Sequence, residues 1–389
     1  MSRIAFLCCH LSGTGHLVRT LALARATAAM GAAAGTGEGA EVLVIGGGRP
    51  LDHIDLKGIE FVQLPPVQVP DFDFSTLRTP EGAVASDAYL AKRRSALERA
   101  LTEFRPDALV TELFPLGRRI LAAAFEAAIA ASLAANPEAA IIASVRDIPE
   151  PPSSPGRLEQ AAGRLRRLYH ALLVHGDAEF LPLAATWKLP ADLAPMIHHT
   201  GYLAGDPPPP CDAPGDTVLV AVGGGVLGRR LLALAARAAA LSPRPWRLLT
   251  GGPDAADLAR DLADRHHRAN LTATNLTVEP PRPDYQALLA CAACSISLAG
   301  YNTVLDLAGC ATPAIVVPFD EHGEREQVIQ AGRLAGLDGF TVLRLDALSP
   351  SILAAAAETA ATGPRRAPLA LACDGAARAA AKILELGAK

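Results

Sequence analysis

A proline-rich segment at residues 204–215 constrains the fold of this chain more than any other feature. Its sequence, A-G-D-P-P-P-P-C-D-A-P-G, cannot form a helix or a central strand, because proline lacks the backbone N–H that both need. On each side of it, short apolar runs alternate with longer helical patterns, which is typical of β-α-β units. We therefore predict an interdomain linker at 204–215 between a domain at 1–203 and a domain at 216–372, followed by a C-terminal helix at 373–389.

Both predicted domains open with an apolar strand, a glycine-rich turn and a helix. The first reads R-I-A-F-L-C-C-H, then L-S-G-T-G-H-L-V-R, and the second reads T-V-L-V-A-V, then G-G-G-V-L-G-R-R. This repetition predicts an α/β protein with two Rossmann-like halves. In the first half the glycine loop Gly13-Thr14-Gly15 leads into a helical turn that carries His16 and Arg19. An imidazole in this place is a candidate general base, although a lone G-x-G-H is common in α/β domains.

Residues 295–327 have the order of a nucleotide-sugar cradle. A short apolar strand is followed by A-G-Y-N-T and then by a helical pattern that carries Asp306. The backbone N–H groups that open this helix can hold a pyrophosphate without a metal, and Gly300 lets the phosphate approach. Asp306 lies about one helical turn further on, where it can accept hydrogen bonds from a ribose diol. The alternative is an ordinary β-α-β crossover whose helix starts with Asn-Thr as a cap.

Several other residues are predicted to surround the same ligand. A second helix, beginning near Gly323, brings Glu324, Glu326 and Gln327 towards the sugar. The glycines after the first strand of the second domain approach the phosphates from the opposite side and Arg229 adds charge, unless this is a tight β-α turn. Arg282 lies in a loop predicted beside the nucleobase. The predicted donor-binding residues are Gly223, Gly224, Gly225, Arg229, Arg282, Gly300, Tyr301, Asn302, Thr303, Asp306, Glu326 and Gln327.

Taken together, G-T-G-H-L-V-R, A-G-Y-N-T-V-L-D and P-F-D-E-H-G-E-R-E-Q resemble the GT-B glycosyltransferases. Within them the chain is similar to a family of predicted bacterial glycosyltransferases related to the enzyme that adds N-acetylglucosamine to the lipid-linked peptidoglycan precursor. Further matching segments are T-E-L-F-P-L-G-R-R, I-I-A-S-V-R-D-I, V-H-G-D and T-G-Y-L, so the resemblance covers nearly the whole chain.

The resemblance implies an enzyme of two Rossmann-like domains that face each other across a cleft. The second domain would hold a nucleotide-sugar donor, expected to be a UDP-sugar such as UDP-N-acetylglucosamine, and the first an acceptor. Asp306 matches the ribose-binding acid, Gly300 and Thr303 the phosphate turn, and His16 the histidine of the glycine loop. Glu326-Gln327 stands where the family has Gln-Gln, and one residue is added before it. The final helix is expected to cross back onto the first domain.

The acceptor side is predicted from polar residues that follow strands of the first domain, at the sheet edge where ligands of open α/β sheets bind. These are Glu112, Arg118, Arg119, Arg146 and Asp147; alternatively Arg146 and Asp147 pair locally and the other arginines face solvent. The loop at 66–79 is long enough for an acceptor lid. It contains D-F-D at 71–73, which has metal-motif spacing but lies outside the cradle. We predict direct displacement with inversion, His16 as base and no metal or other cofactor.

Composition and cysteine spacing limit the remaining alternatives. The 389 residues suit two domains, and a net charge of -4 excludes a general attraction to nucleic acid or anionic lipid. Seven cysteines predict no disulfide or metal framework, and Cys291-Ala-Ala-Cys294 suggests a buried helix-to-strand junction rather than zinc. Buried Cys8 and Cys9 need no function. The segment at 31–40, rich in glycine and alanine, is predicted to be a surface insertion.

Partners and location follow from the same patterns. No secretory signal is apparent and the apolar run at 121–135 contains Glu126, so we expect a cytoplasmic protein without a membrane span. A helix with Arg157, Arg164, Arg166 and Arg167 is either a solvated face or a peripheral membrane contact. The expected partners are the donor and a small-molecule or lipid-linked acceptor, whereas the oligomeric state is not predicted. Two other functions stay open, namely a nucleotide-sugar hydrolase and a non-catalytic nucleotide-sugar-binding protein.

Overall fold

The computed structural model describes residues 1–11, 15–33, 40–50, 55–69, 75–205, 208–223, 228–252, 254–269, 275–320 and 325–388. The chain divides into two compact units, of which unit 1 comprises residues 1–203 and 372–389 and unit 2 comprises 204–371. The division falls after Leu203, at the start of the proline-rich segment, and the chain returns to unit 1 at Ala372.

Unit 1 alternates strands and helices around one parallel sheet. Its elements are β1 (Arg3–Cys8), α1 (Gly15–Ala33), β2 (Glu41–Gly46), β3 (Glu60–Gln63), α2 (Asp87–Phe104), β4 (Ala108–Glu112), α3 (Ala122–Ala135), β5 (Ala140–Arg146), α4 (Pro155–Leu168), β6 (Ala171–His175), β7 (Ile197–His199) and the final helix α11 (Gly375–Gly387). The strand order is β3-β2-β1-β4-β5-β6-β7. Central strands are buried on both faces, which is why they read as continuous apolar runs.

Unit 2 repeats the architecture with a sheet of its own. It contains β8 (Val218–Ala221), α5 (Arg229–Ala239), β9 (Trp246–Leu249), α6 (Ala255–Ala269), β10 (Leu276–Glu279), α7 (Tyr285–Cys291), β11 (Cys294–Ser297), α8 (Tyr301–Ala308), β12 (Ala314–Val316), α9 (Glu326–Leu334), β13 (Phe340–Val342) and α10 (Pro350–Thr362). The strand order is β10-β9-β8-β11-β12-β13, with parallel pairing throughout.

Each sheet has a switch point where the strand order reverses direction. In unit 1 it lies between β1 and β4, and in unit 2 between β8 and β11. Open α/β sheets bind ligands beyond the carboxyl ends of the strands at this point, because the loops diverge there and leave a crevice. The loop that precedes His16 follows β1, and Gly300 follows β11, so both predicted sites lie at switch points.

The final helix α11 packs on α1 and against β4 of unit 1. Ala379 and Ile383 are fully buried in the same apolar cluster as β1, and Ala380 is fully buried as well. The returning segment is held by backbone bonds, since Tyr202 N–H donates to Ala372 O at 2.6 Å. Asp177 Oδ2 also accepts the Ala372 N–H at 3.0 Å.

A disulfide joins Cys211 in the proline-rich segment to Cys291 at the end of α7, with Cα atoms 5.3 Å apart. The prediction that the cysteines form no disulfide is therefore wrong for this pair. The two residues are 80 positions apart, and only the topology brings them together. Cys294 is a free, buried thiol within β11, so the C-A-A-C spacing does not pair its own members.

Two segments for which the sequence makes a prediction fall wholly or partly outside the described residues. These are residues 34–39 of the predicted surface insertion, and residues 70–74, which include D-F-D.

The features that bear on membrane contact are the apolar helices and the basic residues of α4. Among the described helices, none combines the length and apolar character that a membrane span needs. On α4, Arg164 pairs with Glu126 at 2.8 Å and Arg166 pairs with Asp192 at 2.6 Å. Carboxylates therefore offset part of this basic surface.

Candidate functional site

His16 lies in the first turn of α1 and contacts Glu112, the last residue of β4. The strands β1 and β4 are neighbours in the sheet, and their carboxyl ends bring the two side chains together. His16 Nδ1 lies 2.5 Å from Glu112 Oε1. Arg19, one turn further along α1, places its Nη2 atom 3.7 Å from the same carboxylate oxygen. Gly13 and Thr14 of the glycine loop are outside the described residues, and Gly15 begins α1.

Burial and charge set the protonation of this pair. Burial lowers the pKa of His16, against the opposing effect of Glu112. Burial alone would raise the pKa of Glu112, but the contact with His16 and the charges of Arg118 and Arg19 keep it lowered. The pair is therefore a neutral imidazole and a carboxylate at neutral pH. Because a carboxylate can only accept, the short contact assigns the proton to Nδ1, so the lone pair of the imidazole lies on Nε2.

Positive charge exceeds negative charge around this pair. Arg118 lies in the loop after β4, and its Nε and Nη2 atoms are buried without a hydrogen-bond partner in the described structure. Nearby, Arg93 is 4% exposed and, among the described residues, donates to neutral groups, namely Pro65 O at 2.8 Å and Cys9 Sγ at 3.2 Å. The charges of two guanidinium groups, Arg118 and Arg19, act on the single carboxylate of Glu112. A buried cation without a compensating anion is unfavourable, so this charge suits an anionic ligand.

The other predicted acceptor residues have different surroundings. Arg119 is exposed, whereas its neighbour Arg118 is half-buried. Arg146 ends β5, and Asp147 is 1% exposed. Tyr202 Oη donates to Asp147 Oδ2 at 3.5 Å. Asp147 thus lies within the interior of unit 1.

A buried polar row on β5, β6 and the segment after β7 was not predicted. His175 lies between Ser144 Oγ, 2.8 Å from Nε2, and Thr200 Oγ1, 2.9 Å from Nδ1. Ser144 is paired in register with Glu112. Burial and, secondarily, the charge of Arg19 lower the pKa of His175, which keeps it neutral. The sequence signal from which this row could have been predicted is the presence of polar residues at the carboxyl ends of apolar strands.

In unit 2, Gly300 precedes the first turn of α8 and leaves open space there. Its φ of -72° and ψ of 155° are accessible to any residue. A Cβ added to Gly300 would meet only Thr303 Oγ1, at 3.9 Å. Neither backbone strain nor crowding within the described structure therefore demands glycine. Its effect is to leave the N-terminus of α8 uncovered, as a bound phosphate would need.

Gln327, in the first turn of α9, holds the ends of two strands together. Its Oε1 accepts the N–H of Ala299 at 3.1 Å and the N–H of Phe319 at 3.0 Å. Gln327 is 8% exposed and Glu326 is 4% exposed. The carbonyl of Gln327 thus shapes the turn before Gly300. Glu324 lies outside the described residues.

Asp306 lies on α8, one turn after Asn302 and Thr303. Its carboxylate is half-buried, and burial raises its pKa to about 6. Gln286 Nε2 on α7 donates to Asp306 Oδ1 at 3.4 Å and opposes that rise. A half-buried carboxylate one turn from a helix N-terminus has the placement that a ribose diol next to a pyrophosphate requires.

The two predicted donor-binding arginines form ion pairs instead of projecting as isolated charges. Arg229 Nη2 contacts both carboxylate oxygens of Asp254, at 2.6 and 2.7 Å. Arg282 donates to both oxygens of Asp284, each at 2.7 Å, and also to Glu279 at 3.1 Å. Gly223 has a φ of +76°, which favours glycine. Gly224 and Gly225 lie outside the described residues.

Filling the space at Gly300 should weaken nucleotide binding. Gly300→Val keeps an accessible backbone conformation, so we expect the fold to survive while the side chain covers the α8 N-terminus. A helix N-terminus contributes up to about 2 kcal/mol to a bound anion, so the Kd for UDP should rise about tenfold or more. Isothermal titration calorimetry measures this. Gly163→Ala, in open space on α4, is the matched control; equal UDP affinity for both variants would contradict the role of Gly300.

Comparison with known proteins gives a family match and a curated relative for parts of the chain. Residues 247–383 match the family described as glycosyltransferase family 28 C-terminal domain. The UDP-N-acetylglucosamine--N-acetylmuramyl-(pentapeptide) pyrophosphoryl-undecaprenol N-acetylglucosamine transferase of Synechococcus sp. (strain JA-3-3Ab) is 31% identical over 240 residues. That match covers 59% of this chain and 62% of the relative. The chain thus matches less than two thirds of the curated relative's length.

Solved structures share the fold over almost the full length. Acinetobacter baumannii MurG superposes with a TM-score of 0.59 at 14% identity, over 99% of this chain and 100% of that chain. The calicheamicin glycosyltransferase CalG4 gives a TM-score of 0.56 at 20% identity, over 100% and 95% of the two chains. A UDP-glucosyltransferase from Polygonum tinctorium gives 0.60 at 15% identity, over 100% and 93%. Residues 247–383 are therefore similar to the glycosyltransferase family 28 C-terminal domain, and the chain has the fold of the GT-B glycosyltransferases, which confirms the predicted fold and resemblance.

Proposed function

We propose that this protein is a glycosyltransferase that moves a sugar from a nucleotide donor, a UDP-sugar such as UDP-N-acetylglucosamine, to a hydroxyl group of an acceptor. The observation that carries the proposal is the 2.5 Å contact between His16 and Glu112 at the switch point of unit 1. It supplies an oriented base for a hydroxyl. The family match of residues 247–383 supports donor binding by unit 2.

The proposed reaction is a single displacement with inversion. Nε2 of His16 takes the proton of the acceptor hydroxyl, while Glu112 stabilises the imidazolium that forms. The acceptor oxygen forms a bond to the anomeric carbon as the bond from that carbon to the nucleoside diphosphate breaks. The N-terminus of α8 stabilises the negative charge on the departing diphosphate. Because these groups supply both base and charge stabilisation, we propose a metal-independent reaction.

Asp306 completes the proposed donor site. Its carboxylate accepts hydrogen bonds from the ribose hydroxyls, and Gly300 leaves room for the pyrophosphate. The amide nitrogen of Gln327 and the side chain of Glu326 would contact the sugar. The relatives described above are transferases, which favours transfer to an acceptor over hydrolysis and over binding alone.

The first test of this function is thermal unfolding with UDP, GDP, dTDP and ADP. A ligand that binds only the folded state stabilises it by about 2.7 kcal/mol at a hundredfold excess over Kd. We expect UDP to raise the Tm more than the other nucleotides. The absence of a shift with any nucleotide at millimolar concentration would refute donor binding. Release of free sugar at full rate without an acceptor would instead identify a hydrolase.

We further propose that the acceptor carries an anionic group, such as a phosphate or a carboxylate. The support is the excess of guanidinium charge acting on Glu112, since Arg19 and Arg118 face one carboxylate and Arg118 has two buried nitrogen atoms without a hydrogen-bond partner among the described residues. The Synechococcus relative is named for a pyrophosphoryl acceptor, and this chemistry fits the same charge. A neutral acceptor would leave the buried charge uncompensated.

Replacing Arg118 should weaken anion binding in unit 1. A hydrogen bond to a charged group contributes about 1.5–3 kcal/mol, so Arg118→Gln should lose about tenfold or more in affinity for inorganic pyrophosphate. The titration is done with saturating UDP, which occupies the donor site first. Arg119→Gln is the matched control because that side chain is exposed. Equal pyrophosphate affinity in both variants would argue for a neutral acceptor.

A further inference from the structure

Helix α7 contacts the Asp306 carboxylate through its second residue. Gln286 Nε2 donates to Asp306 Oδ1 at 3.4 Å, and both side chains are half-buried. Burial of Tyr285, the first residue of α7, and the charge of Asp306 both raise the pKa of its phenol. Tyr285 therefore lies close enough to this carboxylate to be influenced by its charge. The amino end of α7 thus forms one wall of the space around Asp306.

The carboxyl end of α7 is fixed independently of Asp306. Cys291 is bonded to Cys211. Thr312 Oγ1 donates to Leu289 O at 2.7 Å, and Arg365 donates to Ala290 O at 2.5 Å and to Ala292 O at 3.0 Å. A short helix held in this way presents the backbone of Gln286 from a set position next to Asp306.

A donor at one carboxylate oxygen has two consequences for a ligand. It orients the carboxylate plane, and it leaves the remaining lone pairs for two ribose hydroxyls. It also favours the ionised carboxylate, which accepts from both hydroxyls, over the protonated carboxyl, whose own O–H must donate. Burial acts in the opposite direction on Asp306. Gln286 is thus the group in the described surroundings that opposes this effect.

We propose that Gln286 is a positioning residue, which holds the Asp306 carboxylate so that it accepts hydrogen bonds from both ribose hydroxyls of the nucleotide donor. This inference rests on the proposed function, because it assigns a role within the donor site of unit 2. If Gln286 has this role, the discrimination between ribose and deoxyribose nucleotides depends on a residue of α7 that acts through Asp306 and makes no contact with the ribose itself. Neither the family match nor the relatives' names assign a role to Gln286.

The test measures the Kd of UDP and of 2′-deoxy-UDP by calorimetry between about pH 5 and pH 8, a range that brackets the titration of a raised carboxyl. In the wild-type protein, UDP affinity should fall as the pH drops through the pKa of Asp306, since the protonated carboxyl loses an acceptor. In Gln286→Leu we expect the midpoint of this fall in UDP affinity to move to higher pH, because the hydrogen bond that favours the ionised carboxylate is lost. At neutral pH, UDP affinity should fall about three- to tenfold and the preference for UDP over 2′-deoxy-UDP should shrink.

Two further variants separate positioning from a general structural effect. Gln286→Glu places a second carboxylate beside Asp306, so its midpoint should move further than that of Gln286→Leu. Ala287→Gln, on an exposed position of α7, should match the wild type. An unchanged midpoint and an unchanged UDP to 2′-deoxy-UDP ratio in Gln286→Leu would overturn the inference. Failure of the wild-type protein to bind UDP at any pH would refute the proposed donor site instead.

Discussion

His16→Ala should lower kcat by about 10²–10⁴, the range that a positioned general base contributes. The reason is that His16 is the neutral base next to an ionised carboxylate at the switch point of unit 1. Its removal leaves water to accept the proton from the acceptor hydroxyl. The affinity for UDP should be unchanged, because the proposed donor site belongs to unit 2. Steady-state kinetics with a UDP-sugar, together with UDP titration, measure both quantities.

The pH dependence of kcat gives an independent check on the same residue. The base form of His16 exists above its pKa, and burial lowers that pKa from the usual 6.5. The rate should therefore hold as the pH falls through about 6.5 and decline only at lower pH. Glu112 raises the pKa of His16, so Glu112→Gln should weaken the base and lower kcat without moving the acid limb upward.

Controls for these variants are available in the same chain. His267 is exposed on α6, and His267→Ala should have wild-type kcat. Full turnover by His16→Ala, with donor and acceptor both confirmed, would remove His16 from the mechanism. An acid limb centred near 6.5 would show that the imidazole is not held neutral by burial.

The fold was predictable because its signals are local. Apolar runs of strand length, glycine turns and helical patterns recur on both sides of residues 204–215, and they define two parallel sheets. The positions of His16 and Gly300 followed from the same order, since each opens the helix after a strand. A switch point then places such residues at the carboxyl ends of the central strands, whatever the details of the sequence.

Side-chain contacts between distant residues were not predictable. Glu112 was placed on the acceptor side from its position after a strand, but its contact with His16 spans 96 residues. Gln327 was predicted to face the sugar, yet its carbonyl binds two backbone N–H groups. A sequence pattern identifies which residues lie near a strand end, whereas the direction of each side chain depends on packing. The same limit applies to Ser144, His175 and Thr200.

Loss of the disulfide should destabilise unit 2 by about 4.5 kcal/mol in the loop-entropy description, within a usual range of about 2–5 kcal/mol. The estimate is large because 80 residues separate Cys211 from Cys291, and cross-linking a long loop removes much conformational freedom from the unfolded chain. Cys211→Ser tests this by urea denaturation without reductant. Buried Trp246 of β9 reports on unit 2, and Trp187→Phe removes the tryptophan of unit 1.

Treatment with a reductant separates the effect of losing the disulfide from the effect of the Cys211→Ser substitution itself. The wild-type protein in excess dithiothreitol should unfold at the same urea concentration as Cys211→Ser, while the variant itself should not respond. Cys373→Ser is the matched control, because Cys373 is a free, exposed thiol. A disulfide is uncommon in a reducing compartment, so the stability of the reduced form would decide whether unit 2 folds under reducing conditions. If the wild type unfolds at the same urea concentration with and without reductant, the disulfide does not stabilise unit 2, and contacts such as the Gly215 N–H to Cys291 O bond and the packing of Pro208 on Gly309 hold residues 208–215 in place.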